Sequence, residues 1–236
     1  GSSDSDEQNP ALGLRAIRFC LNKPDVFKVQ LRAILRAAAF GNIRILFPMI
    51  SSYKEVIDAK RILEEAAYEL EKEGVNSNKD IDTGIMIEIP SAAVIADSLA
   101  EIVDFFSIGT NDLIQYALAI DRINEHVAFM YQPFHPAILK MIQQVYNAAE
   151  AAGINVSICG EMAGVPFNIP VLLGIGPDAL SMNPHSIPAV KNVISQLTIQ
   201  DCRDLVMEIL EIPSVEEITA LVEKRYGNIF SSVQYN

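Results

Sequence analysis

Five short apolar runs, each followed by a helical stretch, set the limits on what this chain can fold into. The runs lie at 43–48, 84–89, 105–108, 156–159 and 179–182. They do not alternate apolar with polar, as expected of strands covered on both faces. Helical stretches are predicted between and after them. One runs over 24–40, with Pro24 in its first turn and Gly41 as its stop. Ser52-Tyr53-Lys54-Glu55 has capping-box spacing, and the helix it opens continues to Lys72 before Gly74. Further helices are predicted over 91–101, 112–119, 137–152 (closing on Gly153), 187–197, 200–211 and 215–224. This βαβα rhythm predicts an α/β fold with a parallel sheet, either doubly wound or a (β/α) barrel. Right-handed crossovers then bring every strand C-terminus to one edge.

That edge is where polar residues gather. The second run ends in Glu88, the third runs into Gly109-Thr110-Asn111-Asp112, the fourth into Cys159-Gly160-Glu161 and the fifth into Asn183. Ligands bind at this edge in both architectures. Two carboxylates from adjacent strands, Glu88 and Asp112, suit Mg²⁺, which takes one or two carboxylates and completes its octahedron with water and substrate oxygens. A single acid at a strand end is about as often a cap or an ion-pair partner; two on one rim favour the metal.

The charge balance sharpens this. The 236 residues carry a net charge of −12, which disfavours nucleic acid and anionic membranes as partners. No apolar run approaches the ~18–20 residues of a membrane helix. An anionic substrate would need arginines or a metal ion. Arg15 and Arg18, three residues apart, are predicted to share a helix face, and Arg122 follows the third strand. A guanidinium matches carboxylate or phosphate with paired donors. The three cysteines, Cys20, Cys159 and Cys202, are odd in number and widely spaced, as in a reducing, cytoplasmic compartment. A lone cysteine is more often a small core residue. Cys20 and Cys202 fall within helical periodicity and read as structural. Cys159, before Gly160-Glu161, reads as a thiol able to give a proton to a carbanion. His126, His135 and His185 lack metal-ligand spacing, and His135 before Pro136 reads as a helix cap. Residues 1–8 are polar and acidic and read as a disordered lead or cloning scar.

The segments NPALGLRAIR (9–18), RILFPMI (44–50), GIMIEIPSAA (84–93), DFFSIGTNDLIQYALAIDR (104–122), YQPFHPAI (131–138), CGEMAG (159–164) and SIP (186–188) together resemble a known family. They are similar to the C-terminal, phosphoenolpyruvate-binding domain of enzyme I of the bacterial phosphoenolpyruvate:sugar phosphotransferase system. GTNDL and CGE also occur in pyruvate phosphate dikinase and phosphoenolpyruvate synthase, whereas LRAILRAAAFG (31–41) and CGEMAG favour enzyme I. The resemblance implies a (β/α)₈ TIM-barrel fold, incomplete here with about five of eight βα units, over residues 9–236. It implies Glu88 and Asp112 as magnesium ligands and Asn111 with Asp112 as a substrate-contacting pair. It also implies Arg15 and Arg122 as holders of phosphoenolpyruvate, and Cys159 as the acid that protonates the enolpyruvate carbon. In that family the phosphoryl group passes to a histidine on a separate N-terminal domain and then to the carrier HPr, in cytoplasmic sugar uptake by a homodimer. Two departures stand out. The strands that carry two further substrate arginines, and the phosphohistidine domain, are not in this sequence. Val165 stands where the family pattern CGEMAGD has Asp, and the stretch 176–185 is less typical. A catalytically incompetent binding or dimerisation fragment, and a dikinase or synthase domain, are therefore the competing expectations.

Overall fold

The computed structural model describes residues 9–231. Residues 1–8, read above as a lead, lie outside the described residues. Helix α1 (Ala16–Asn22) and helix α2 (Pro24–Ala38) precede strand β1 (Ile45–Phe47). Then follow α3 (Tyr53–Lys72), β2 (Thr83–Ile87), α4 (Pro90–Val94), α5 (Ala96–Ala100), β3 (Phe105–Gly109), α6 (Thr110–Ala117), α7 (Pro136–Ala152) and β4 (Asn155–Cys159). The chain continues through α8 (Glu161–Gly164), α9 (Ile169–Ile175), β5 (Ala179–Leu180), α10 (Ile187–Ile194), α11 (Ile199–Ile209) and α12 (Val215–Ser231).

Local signals account for many of these boundaries. Ser52 and Glu55 form the capping box that starts α3: the Ser52 hydroxyl accepts from the Glu55 N–H, and the Glu55 carboxylate accepts from the Ser52 N–H at 2.9 Å. Proline occupies the first turn of α2, α4 and α7, where its missing N–H costs nothing. His135 caps α7 as expected, its Nδ1 accepting from the Ala137 N–H at 3.2 Å.

All five strands are parallel and pair in sequence order, β1-β2-β3-β4-β5. A doubly wound sheet reverses its strand order at a switch point. This one does not, so successive right-handed crossovers put their helices on the same side, as in a (β/α) barrel. Ile45, Phe47, Ile85, Ile87, Phe106, Ile108, Val156 and Ile158 form the helix-covered face of the sheet, and all are buried. By the strand register, Met86, Ser107 and Ser157 form one row of the opposite face. Glu88, Gly109 and Cys159 lie one step further toward the strand C-termini on that same face.

The structure differs from the sequence reading in several places: the first strand spans only Ile45–Phe47, and the last helix runs on to Ser231. The helix expected over 91–101 is two helices that break at Ile95, which leaves the helical region (ψ 24°). The fifth strand has two residues rather than four. Helices α8 and α9 were not anticipated; α9 is apolar all round and nearly all buried, so it carries no amphipathic period. Arg15 and Arg18 do not share a helix face. Arg15 is extended (φ −131°, ψ 165°) just ahead of α1, and Ala16 takes a left-handed φ of 51°. Among the described residues no helix is long and apolar enough to cross a membrane.

Helices α9 and α11 approach each other through Gly174. A β-carbon there would lie 2.1 Å from the Cys202 carbonyl oxygen, a backbone atom that cannot swing aside. Gly174→Ala should destabilise the fold by ~1–3 kcal/mol or more through overpacking. Gly41→Ala, where a β-carbon meets nothing within 4 Å, should be far milder. Denaturant unfolding of the two variants checks this, and similar midpoints would contradict the packing.

Candidate active site at the strand C-termini

The turn after β4 is held by the first turn of α6. Thr110 Oγ1 donates to the Cys159 carbonyl at 2.9 Å, and Asn111 Oδ1 accepts from the Glu161 N–H at 2.9 Å. Gly160 lies between them with φ of +100°, and a β-carbon there would come 2.5 Å from Thr110 Oγ1 and 2.8 Å from Asn111 Oδ1. Both the conformation and the space demand glycine. Tyr131, half-buried, also donates to Asn111 Oδ1 at 3.3 Å. Burial, with the Glu161 charge behind it and Arg122 opposing, pushes the Tyr131 phenol up to about 12, so it remains a donor at neutral pH.

Asp112 stands one residue further along α6. Its carboxylate lies 3.6 Å from Arg15 Nη2. Tyr116, one helical turn on, supports the arginine: it accepts from Arg15 Nη1 at 3.4 Å and donates to the Ala11 carbonyl at 2.6 Å. Arg18 turns away and donates to the Leu12 carbonyl at 3.0 Å.

Glu88 is 5 % exposed. Its Oε1 accepts from the Met49 N–H at 2.7 Å, which ties the end of β1 to the end of β2. Burial pushes its carboxyl up from the usual 4.5 to about 7. The Met49 N–H opposes this, the Asp112 charge adds to it, and Arg15 offsets part. A buried acid beside a second carboxylate is poised for a cation, which would relieve both penalties at once. Among the described residues, no three His, Cys, Asp or Glu side chains gather where they could share an ion. A hard cation can be held by two carboxylates when water or substrate supplies its other oxygens, and Glu88 with Asp112 could serve as such a pair.

The Cys159 thiol faces the same region. Its Sγ donates to the Ile108 carbonyl at 3.4 Å and accepts from Ser107 Oγ at 3.6 Å. Burial raises its pKa above the ordinary thiol value, with Ser107 opposing and the charges of Glu88 and Asp112 adding to the rise. It is a protonated thiol at neutral pH. It opens onto a cleft of about 560 Å³ that Asn111, Glu161, Val165, Met182 and Asn183 also line.

The structure thus brings Glu88, Asp112, Asn111, Arg15 and Cys159 to one rim. Arg122 is exposed on the connection between α6 and α7, its backbone N–H on Gln115 Oε1 at 3.4 Å. Asn183 is used locally, accepting from the His185 N–H at 3.0 Å. Sequence reasoning passed over Ser107, Thr110, Tyr116 and Tyr131. The four-residue spacing of Asp112 and Tyr116 on α6 was available as a signal; nothing periodic marks Tyr131, which lies in an irregular stretch.

Comparison with known proteins identifies the family. The pattern of the family described as "PEP-utilising enzyme, PEP-binding domain" matches residues 2–199. A phosphoenolpyruvate-protein phosphotransferase of Priestia megaterium is 50 % identical over 220 residues, covering 93 % of this chain and 38 % of that protein. One of Bacillus subtilis (strain 168) is 50 % identical over 220 residues, covering 93 % and 39 %. The chain therefore spans about two fifths of the length of these relatives. Among solved structures, a citrate lyase of Burkholderia xenovorans LB400 superposes with a TM-score of 0.54 at 18 % identity, over 85 % of this chain and 68 % of the lyase; this likeness bears on the fold alone. With a matching family pattern over most of its length, the chain belongs to the phosphoenolpyruvate-utilising enzymes, through their phosphoenolpyruvate-binding domain.

Proposed function

We propose that residues 9–236 are the phosphoenolpyruvate-binding barrel domain of a cytoplasmic, homodimeric phosphoenolpyruvate-protein phosphotransferase. The partners in this reading are a phosphohistidine domain and the carrier HPr. The observation that carries it is the buried Glu88 set beside Asp112 on the rim that also holds the Cys159 thiol. Glu88 and Asp112 would hold Mg²⁺, since a pair of carboxylates with room for water and substrate oxygens suits that hard cation. When bound, the ion neutralises charge on the phosphoryl and carboxylate oxygens. Arg15 and the amide nitrogen of Asn111 bind the anionic substrate from the Asp112 side, and Arg122 adds a third donor from the α6–α7 connection. As the phosphoryl group leaves for a histidine, the enolate remains. Cys159 then protonates its methylene carbon: the enolate electron pair forms the new C–H bond, and the S–H pair stays on sulfur as thiolate. The product is pyruvate, and the thiolate recovers its proton from water. A thiol held above its usual pKa suits this task, because it carries the proton at neutral pH.

Two outcomes test the reading. Incubated with pyruvate and Mg²⁺ in D₂O, an enzyme carrying this domain should exchange the methyl hydrogens. Cys159→Ala should slow that exchange by about 10²-fold or more, the usual size of a general-acid contribution. Equal exchange by the two would remove Cys159 from the role.

The second concerns pH. The Glu88 carboxyl titrates higher in the folded chain, about 7, than its ordinary 4.5. The folded state thus holds a proton that the unfolded state releases between these values. Its contribution to stability is full below 4.5 and is lost as pH rises through 7. Mg²⁺ competes with that proton, so it should raise Tm clearly above pH 7 and little near pH 5.5. Glu88→Gln should abolish the Mg²⁺ effect at both. A pH-independent Mg²⁺ shift that survives Glu88→Gln would place the ion elsewhere.

A further inference from the structure

Ser107 is buried on the inner face of β3, one residue before Ile108, whose carbonyl takes the Cys159 S–H. Its Oγ lies 3.6 Å from Cys159 Sγ with the hydroxyl as donor. The strand register explains the contact. Ser107 pairs with Ser157, and Gly109 with Cys159, so the thiol sits on the same face one step nearer the rim. Ser157, in the same row, turns its hydroxyl to the Phe106 carbonyl at 3.4 Å and makes no bond to the sulfur. Among the described residues, Ser107 is the one whose side chain donates a hydrogen bond to Cys159 Sγ.

We propose that Ser107 is a positioning residue for Cys159, which holds the sulfur in register with the rim and stabilises it as thiolate once its proton has gone. The contact changes character during the reaction. Against a neutral thiol, a hydroxyl donor is a weak partner. Against a thiolate it is a charge-assisted hydrogen bond, about twice as strong. The need for such a donor is acute here. The charged groups near the sulfur are Glu88, beyond β2, and Asp112, on α6, and both disfavour a negative sulfur. The Ile108 carbonyl, an acceptor only, also loses its donor when the proton leaves. Ser107 offers a hydrogen to the sulfur in either state. Its burial keeps that hydroxyl from exchanging its partner for water.

The catalytic consequence rests on the reading of Cys159 as the acid, but the contact itself can be tested without turnover. Alkylation by iodoacetamide, followed across pH by mass spectrometry of the Cys159 peptide, reports the thiolate fraction of that residue apart from Cys20 and Cys202. Ser107→Ala should raise the apparent pKa of Cys159 by about one unit, which slows alkylation near pH 8 by up to ~10-fold. Ser107→Thr, which keeps the hydroxyl, should restore most of it, and Ser157→Ala should leave the profile unmoved. An unchanged Cys159 profile in Ser107→Ala, or an equal shift in Ser157→Ala, overturns the proposal. Pyruvate methyl exchange separates the two readings. If Cys159→Ala abolishes exchange, Ser107→Ala should lower its maximal rate severalfold without raising the pyruvate concentration for half-saturation. A shifted alkylation profile with exchange indifferent to Cys159→Ala would sustain the contact and reject the acid role.

Discussion

The interlock at Gly160 is the constraint on which the rim depends. The Thr110 and Asn111 side-chain oxygens, from one βα unit, hold the turn of the next and lie where a Gly160 β-carbon would sit. The hydrogen bonds fix the Cys159 turn to the first turn of α6. Asp112 lies in that same turn of helix, so thiol and carboxylate are carried by one rigid unit. The Met49 N–H does the same for Glu88, binding it to the end of β1. Strand pairing alone aligns backbones; these side-chain bonds align the chemistry.

Electrostatics explains why such an arrangement is poised and not relaxed. The chain carries a net charge of −12, yet its proposed substrate is an anion. Burying Glu88 beside Asp112 costs stability whenever both are ionised, and Arg15, partly exposed, offsets only part of it. The same carboxylate pair that strains the free protein is the one that would make a cation welcome. Cys159 feels these charges too, and their effect keeps its proton on. Titratable groups pushed away from their usual behaviour in one small region are what an acid–base site requires.

Much of this was legible in the residues. Apolar runs without alternation announced covered parallel strands, and the capping box, first-turn prolines and Gly153 marked helix ends from local chemistry alone. Because strand termini must share an edge, Glu88, Asp112 and Cys159 could be placed on one rim before any contact was known. What remained hidden was non-local. Periodicity does not encode strand order, so by that signal alone a doubly wound sheet and a barrel look alike; the resemblance implies the barrel, and the pairing of β1 to β5 in sequence order fits it. The left-handed turn at Ala16 sends Arg15 and Arg18 to different partners, and alanine gives no hint of it. Ser107 looked like an ordinary residue of an apolar strand, since its meaning lies in a sulfur from the adjacent strand.

The central claim is that the carboxylate pair and the anion-binding residues form one site for phosphoenolpyruvate and a divalent cation. Calorimetric titration of the chain with phosphoenolpyruvate, with Mg²⁺ and with EDTA, tests it most directly. The account predicts binding heat that requires Mg²⁺, is lost in Asp112→Asn and is weakened at least tenfold in Arg15→Ala. Binding of equal strength in EDTA, or binding indifferent to Asp112→Asn, would contradict it.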